Sequence, residues 1–70
     1  MQGVVKVFDP ATGIGVIRRD GTGEEIMLRP GSLEGSLFRM LRQGQRLVFD
    51  AVEKDGSLVA SNLRFGADGQ

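Results

Sequence analysis

Short β-branched runs, broken at close intervals by glycine, proline and aspartate, leave this chain room for strands and for little else. Eleven of its 70 residues are glycine. The runs at 3–8 (GVVKVF), Ile14–Arg19, 25–29 (EIMLR), 46–53 (RLVFDAVE) and 58–65 are each of strand length and rich in Val, Ile, Leu and Phe. Between the first two, Asp9-Pro10-Ala11-Thr12-Gly13 is a turn, because proline fixes one φ and glycine admits a positive one. Asp20-Gly21-Thr22-Gly23 suits a hairpin loop, Pro30 ends the third run, and Lys54-Asp55-Gly56-Ser57 joins the last two. Five strands spaced this closely predict a closed barrel, since closure leaves no edge unpaired. One segment departs from the pattern. Leu37, Met40 and Leu41 stand at i, i+3 and i+4 with Gly44 beyond them, which predicts a helical turn over residues 36–43. Residues 1–66 form the expected domain, and 67–70 are expected to be a disordered tail.

Strand phase assigns the faces. In the second run Ile14, Val16 and Arg18 share one side, and in the third Ile26 and Leu28 lie opposite Met27 and Arg29. An unpaired arginine is not buried, so Met27 and Arg29 look outward and Ile26 and Leu28 inward. Val5, Ile17, Leu47, Phe49 and Leu63 complete the expected interior. Ile14, Val16 and Met27 then stand on an outer face beside basic residues, and an aliphatic outer face needs a reason.

Composition narrows the function. A 70-residue chain buries about 60% of the surface it exposes unfolded, enough for one domain of modest stability. There is no cysteine or histidine, so thiolate chemistry, imidazole catalysis and the usual zinc sites are excluded. Glu24 and Glu25 are adjacent and point to opposite faces of a strand, and no other carboxylate pair is set by spacing. Gly13-Ile14-Gly15 lacks the third glycine of a dinucleotide fingerprint, and no Gly-Lys-Ser/Thr is present. Asp20, Glu24 and Glu25 have no metal-loop spacing. The expectation is a protein that is not an enzyme, with no cofactor and no metal. No apolar run reaches the roughly 20 residues of a membrane span and the N-terminus lacks a signal-peptide pattern, so the expected location is cytoplasmic. Nine basic and nine acidic residues cancel, so no strong global field draws the chain to nucleic acid.

Taken in order, these features resemble the cold-shock domain, an OB-type barrel. Gly3-Val4-Val5-Lys6-Val7-Phe8-Asp9 stands for the family's G-x-V-K-W-F-N, and Gly13-Ile14-Gly15-Val16-Ile17 for G-F-G-F-I. Ile26-Met27-Leu28-Arg29 stands for V-F-V-H, Leu41-Arg42-Gln43-Gly44-Gln45 for L-x-E-G-Q, and Ala60-Ser61-Asn62-Leu63 for A-x-N-V. The fold the resemblance implies is all-β: a five-stranded antiparallel OB-type barrel with a short helical turn between strands three and four. The function it implies is binding of single-stranded RNA or DNA by stacking bases on an aromatic platform. Here that platform is mostly aliphatic, because Val7 replaces a Trp, Ile14, Val16 and Met27 replace Phe, and Arg29 replaces His. Pro30 follows where the family has another ring, and Thr12 takes the place of a Lys. Only Phe8 and Phe38 keep a ring where the family contacts nucleic acid.

The candidate binding set is therefore Lys6, Val7, Phe8, Ile14, Val16, Arg18, Met27, Arg29, Phe38 and Arg39. Seven of the nine cations are arginine, whose guanidinium both stacks on bases and forks onto phosphates, so arginine partly substitutes for rings. Stacking is worth about 1–3 kcal/mol per base, so its loss predicts a weak complex. Plainer readings stand beside these. The cations serve equally as solvated charges, and Phe8 and Phe38 as rings folded over the barrel mouth, although Phe38 falls off the apolar stripe and is expected to be exposed. The alternative to nucleic acid is a protein partner or a homodimer through Val7, Ile14, Val16 and Met27, with no role at a membrane.

Overall fold

The computed structural model describes residues 1–33, 38 and 40–66. Among them are five strands: β1 (Gln2–Asp9), β2 (Ile14–Arg19), β3 (Glu25–Leu28), β4 (Arg46–Lys54) and β5 (Ser57–Phe65), each within a residue or so of its expected bounds. They close into a barrel in the order β1-β2-β3-β5-β4. The turns follow from the residues in them. Asp9 accepts from the Ala11 N–H on Oδ1 at 2.9 Å and from the Gly13 N–H on its carbonyl at 2.8 Å. Asp55 and Gly56 both take positive φ (51° and 80°) between paired Lys54 and Ser57, the two-residue hairpin that Asp-Gly favours.

Two expectations are corrected. The barrel is not wholly antiparallel: β3 and β5 run parallel, with Met27 opposite Val59. Strand direction cannot alternate all the way round a ring of five, so one junction must be parallel. The helical turn over residues 36–43 is also absent among the residues described; Leu37 and Arg39 lie outside them. Just beyond it the backbone closes a single turn, the Gln45 N–H donating to the Arg42 carbonyl at 3.1 Å, and also bonds to β1. The Gly44 N–H donates to the Val5 carbonyl at 2.8 Å and the Val5 N–H to the Gln45 carbonyl at 2.9 Å. Of the stripe that suggested a helix, Leu41 is buried and Met40 exposed. The tail at 67–70 also lies outside the described residues.

The interior is the expected one: Val5, Ile17, Ile26, Leu28, Leu47, Phe49 and Leu63 are buried, joined by Leu41 and Ala60. Two bulges interrupt the alternation that leads to it. Val5 pairs with Ile17, but Val7 pairs with Val16, so Lys6 is one residue too many on β1 and the phase flips there. Val5 points in and Val7 points out, although they are two apart. On β5, Asp50 pairs with Ser61 and Val48 with Arg64, again one residue in excess, and Asn62 takes φ 52° at the irregularity. That shift lets Ala60 and Leu63 both face the core. No helix among the described residues is long and apolar enough to cross a membrane.

Candidate nucleic-acid interface

The outer surface of β1, β2 and β3 carries a row built by register. Val7 lies opposite Val16, and Val16 opposite Met27. Ile14 stands two residues along β2 on the same side. Val7 and Ile14 are 52% and 49% exposed, while Val16 and Met27 are half-buried between their neighbours. Gly15 brings β1 and β2 together here, since a Cβ at this position would collide with the Val7 carbonyl oxygen. The glycines of Gly13-Ile14-Gly15 thus serve close approach and turning rather than a phosphate cradle.

A charged row runs beside the aliphatic one. Arg18 pairs in register with Glu25, and the bulged Lys6 reaches across to Glu25, its Nζ 2.7 Å from Oε2. That hydrogen bond, then the Lys6 charge, and more weakly the Arg18 charge, hold the Glu25 carboxyl below its usual value against a small desolvation effect. Because the folded pKa is depressed, the stability this pair contributes is present above the unfolded value and is lost as pH falls through the folded one. Carbon-detected titration of Glu25 should therefore give a midpoint below that of an ordinary glutamate, and Lys6→Gln should move it back up. An unchanged midpoint in Lys6→Gln would mean that the bridge is not formed in solution.

Arg29 follows β3, half-buried, in a turn closed by Ser32: the Arg29 N–H donates to Ser32 Oγ at 2.9 Å and the Ser32 N–H to the Arg29 carbonyl at 2.8 Å. Pro30 packs on the β1–β2 turn, 3.3 Å from where a Gly13 Cβ would stand. The candidate residues thus divide. Lys6, Val7, Ile14, Val16, Arg18 and Met27 share one face, with Arg29 just past the end of β3. Phe8, opposite Gly15, packs partly against the core. Phe38 is half-buried rather than exposed: it packs on the core, its ring 4.9 Å from that of Phe65 and tilted by 57°. Arg39 lies outside the described residues.

Sequence reasoning passed over Glu25 as a partner of Lys6 and Phe65 as a partner of Phe38, contacts between residues far apart in the chain. It also missed Val59 and Val52, whose place beside Met27 depends on how the barrel closes. Among the described residues no group of three or more carboxylates is gathered to hold a metal.

The chain matches the family described as the 'Cold-shock' DNA-binding domain over residues 1–65. It is 36% identical to the cold shock-like protein CspA of Stigmatella aurantiaca over 62 residues, which cover 89% of this chain and 91% of that protein. It is 31% identical to the cold shock-like protein CspA of Rickettsia bellii, with 89% of each chain covered, and 32% identical to a cold shock-like protein of Aquifex aeolicus, with 90% of each covered. The barrel, the glycine-bracketed second strand and these matches agree: over residues 1–65 the chain belongs to the cold-shock domain family.

Proposed function

We propose that the protein binds single-stranded RNA or DNA weakly across the outer face of β1–β3. The observation that carries this reading is the Val7–Val16–Met27 row with Ile14, lying between Lys6 and Arg18 on one side and Arg29 at its end. The aliphatic side chains form an apolar floor for bases, without the π-overlap of rings. Arg18 and Arg29 contact phosphates or stack, and Lys6 does so once it leaves Glu25. Phe8 and Phe38 add ring surface at the margin, and Arg39 is a further candidate. Nothing in this arrangement calls for catalysis, a cofactor or a metal. The competing occupant, a protein partner or second copy of the chain, has only the exposure of Val7 and Ile14 in its favour. The flanking cations favour an anion.

Titration of the protein with oligo-dT and oligo-U at two salt concentrations, followed by amide shifts, tests the reading. With two to three phosphate contacts, log K should fall against log salt with a slope of about −2, since each contact contributes about −0.7. Arg29→Ala should lower affinity and flatten the slope, whereas Val16→Ala should lower affinity alone. Glu25→Gln should raise affinity and steepen the slope, because it removes a carboxylate and releases Lys6. Absence of any shift on the Ile14–Met27 face at low salt with millimolar oligonucleotide would sink the reading.

A further inference from the structure

Met27 is the middle member of an aliphatic line that runs round the barrel. It lies opposite Val16 of β2 on one side and Val59 of β5 on the other; Val16 pairs with Val7 of β1, and Val59 with Val52 of β4. The other four members are valines, so Met27 carries the one side-chain heteroatom of the line. Met27 is half-buried, which leaves part of it open to a small solute from the solvent side. By the resemblance to the cold-shock domain a phenylalanine would stand here. The exchange of ring for thioether changes the chemistry of the position as well as its shape.

Composition makes that thioether stand out. The chain has no cysteine, histidine, tryptophan or tyrosine, so methionine sulfur is the group that a two-electron oxidant attacks first. There are three methionines. Met1 and Met40 are 41% and 53% exposed, more open than Met27, but neither belongs to the line. Met1 is tied to Phe49 of β4, its amine donating to the Phe49 carbonyl and its carbonyl accepting from the Phe49 N–H, both at close to 2.9 Å. Met40 lies in the segment before β4. Oxidation at these two therefore reports the dose without touching the β1–β3 face.

We propose that Met27 is a redox-modification site, at which oxidation by a hydroperoxide to the sulfoxide weakens the hold of the face on a single strand. The inference rests on the β1–β3 reading and adds a means of regulating it. The sulfur lone pair attacks one peroxide oxygen; the S–O bond forms, the O–O bond breaks, and the departing hydroxide takes up a proton to leave as water. Sulfur loses two electrons and the peroxide gains them, and a thiol-dependent sulfoxide reductase reverses the step. The product is a strong acceptor in the middle of an apolar floor. The side chains of Val16 and Val59 beside it offer no donor, so the new oxygen keeps its water, and a base laid on the floor must strip that water away.

The test treats the wild type, Met27→Leu and Met40→Leu with hydrogen peroxide and locates the added oxygens by peptide mass spectrometry. Oligo-dT binding and amide spectra are recorded before and after. Met1 and Met40 should be oxidised first with no loss of affinity. Affinity should then fall several-fold in step with the Met27 sulfoxide, at unchanged salt slope because no phosphate contact is removed. Met40→Leu should lose affinity as the wild type does, whereas Met27→Leu, whatever its starting affinity, should keep it. Bound oligo-dT should slow oxidation of Met27 but not of Met40, and sulfoxide reductases for both epimers should restore binding. If Met27 gains no oxygen in the folded protein, or its sulfoxide binds as before, the proposal fails while the β1–β3 reading stands. An equal loss in Met27→Leu would place the effect at Met1 or Met40, and loss of native amide dispersion on oxidation would make it an effect on folding; either overturns the proposal. If oligo-dT shifts no amide of the untreated protein, the β1–β3 reading fails and this one with it.

Discussion

Leu28→Ala is expected to remove a large part of the stability of the domain and to lower its urea midpoint sharply. Leu28 is fully buried, and its Cδ1 fills the space over Gly15, its register partner on β2, 3.2 Å from where a Cβ on that glycine would stand. Truncating it removes a large side chain opposite a residue that has none, so its register partner cannot fill the cavity. Such substitutions cost about 2–5 kcal/mol. A domain of this length has a total stability on the order of 3.5–10 kcal/mol, so the loss takes up a large part of it. Met40→Ala is the control, since Met40 is 53% exposed and its truncation should cost less than about 0.5 kcal/mol. Urea unfolding of both variants decides the matter. Equal midpoints would mean that Leu28 is not in the core.

Restoring rings to the row should have an equally large effect, in the direction of gain. Val7→Trp and Val16→Phe place aromatic faces where the family carries them, on an outer surface with room for a ring at Val7. Stacking at about 1–3 kcal/mol per base corresponds to roughly five- to 150-fold in affinity per ring. The existing valines already cover part of a base, so about tenfold for each is the expected gain, and the double variant should exceed either single one. The salt slope should not change, because no phosphate contact is added. That pairing of higher affinity with constant slope separates stacking from a nonspecific effect. Unchanged affinity in a folded double variant would show that the strand does not cross this face.

Much of this was legible along the chain because the interactions that decide it are local. Turn chemistry at Asp9–Gly13 and Asp55-Gly56 set where strands end. Two-residue alternation, with Arg29 forbidding one of the two phases, placed Ile26 and Leu28 inside and Met27 outside. The position of Val7 was different. Alternation from Val5 would have put it in the core, and only the likeness of Lys6-Val7-Phe8 to a known motif argued otherwise. The bulge at Lys6 is the physical cause, and it arises from the pairing of β1 with β2 rather than from anything in β1 itself.

Local rules failed where a distant strand offered a competing partner. Leu37, Met40 and Leu41 have helical spacing, but the Gly44 N–H and Gln45 carbonyl bond to Val5 on β1, and of the described stripe residues Leu41 is buried while Met40 is exposed. Lys6 and Glu25, like Phe38 and Phe65, meet only because closure brings their segments together. By itself the sequence determined the number of strands, the turns between them and the polarity of each face, since these follow from φ preference and burial within a few residues. The order of strands around the ring, the parallel β3–β5 junction and the aliphatic line running from Val7 to Val52 were decided by the tertiary structure alone. They depend on which strands become neighbours, and an odd ring offers that choice only when all five are present.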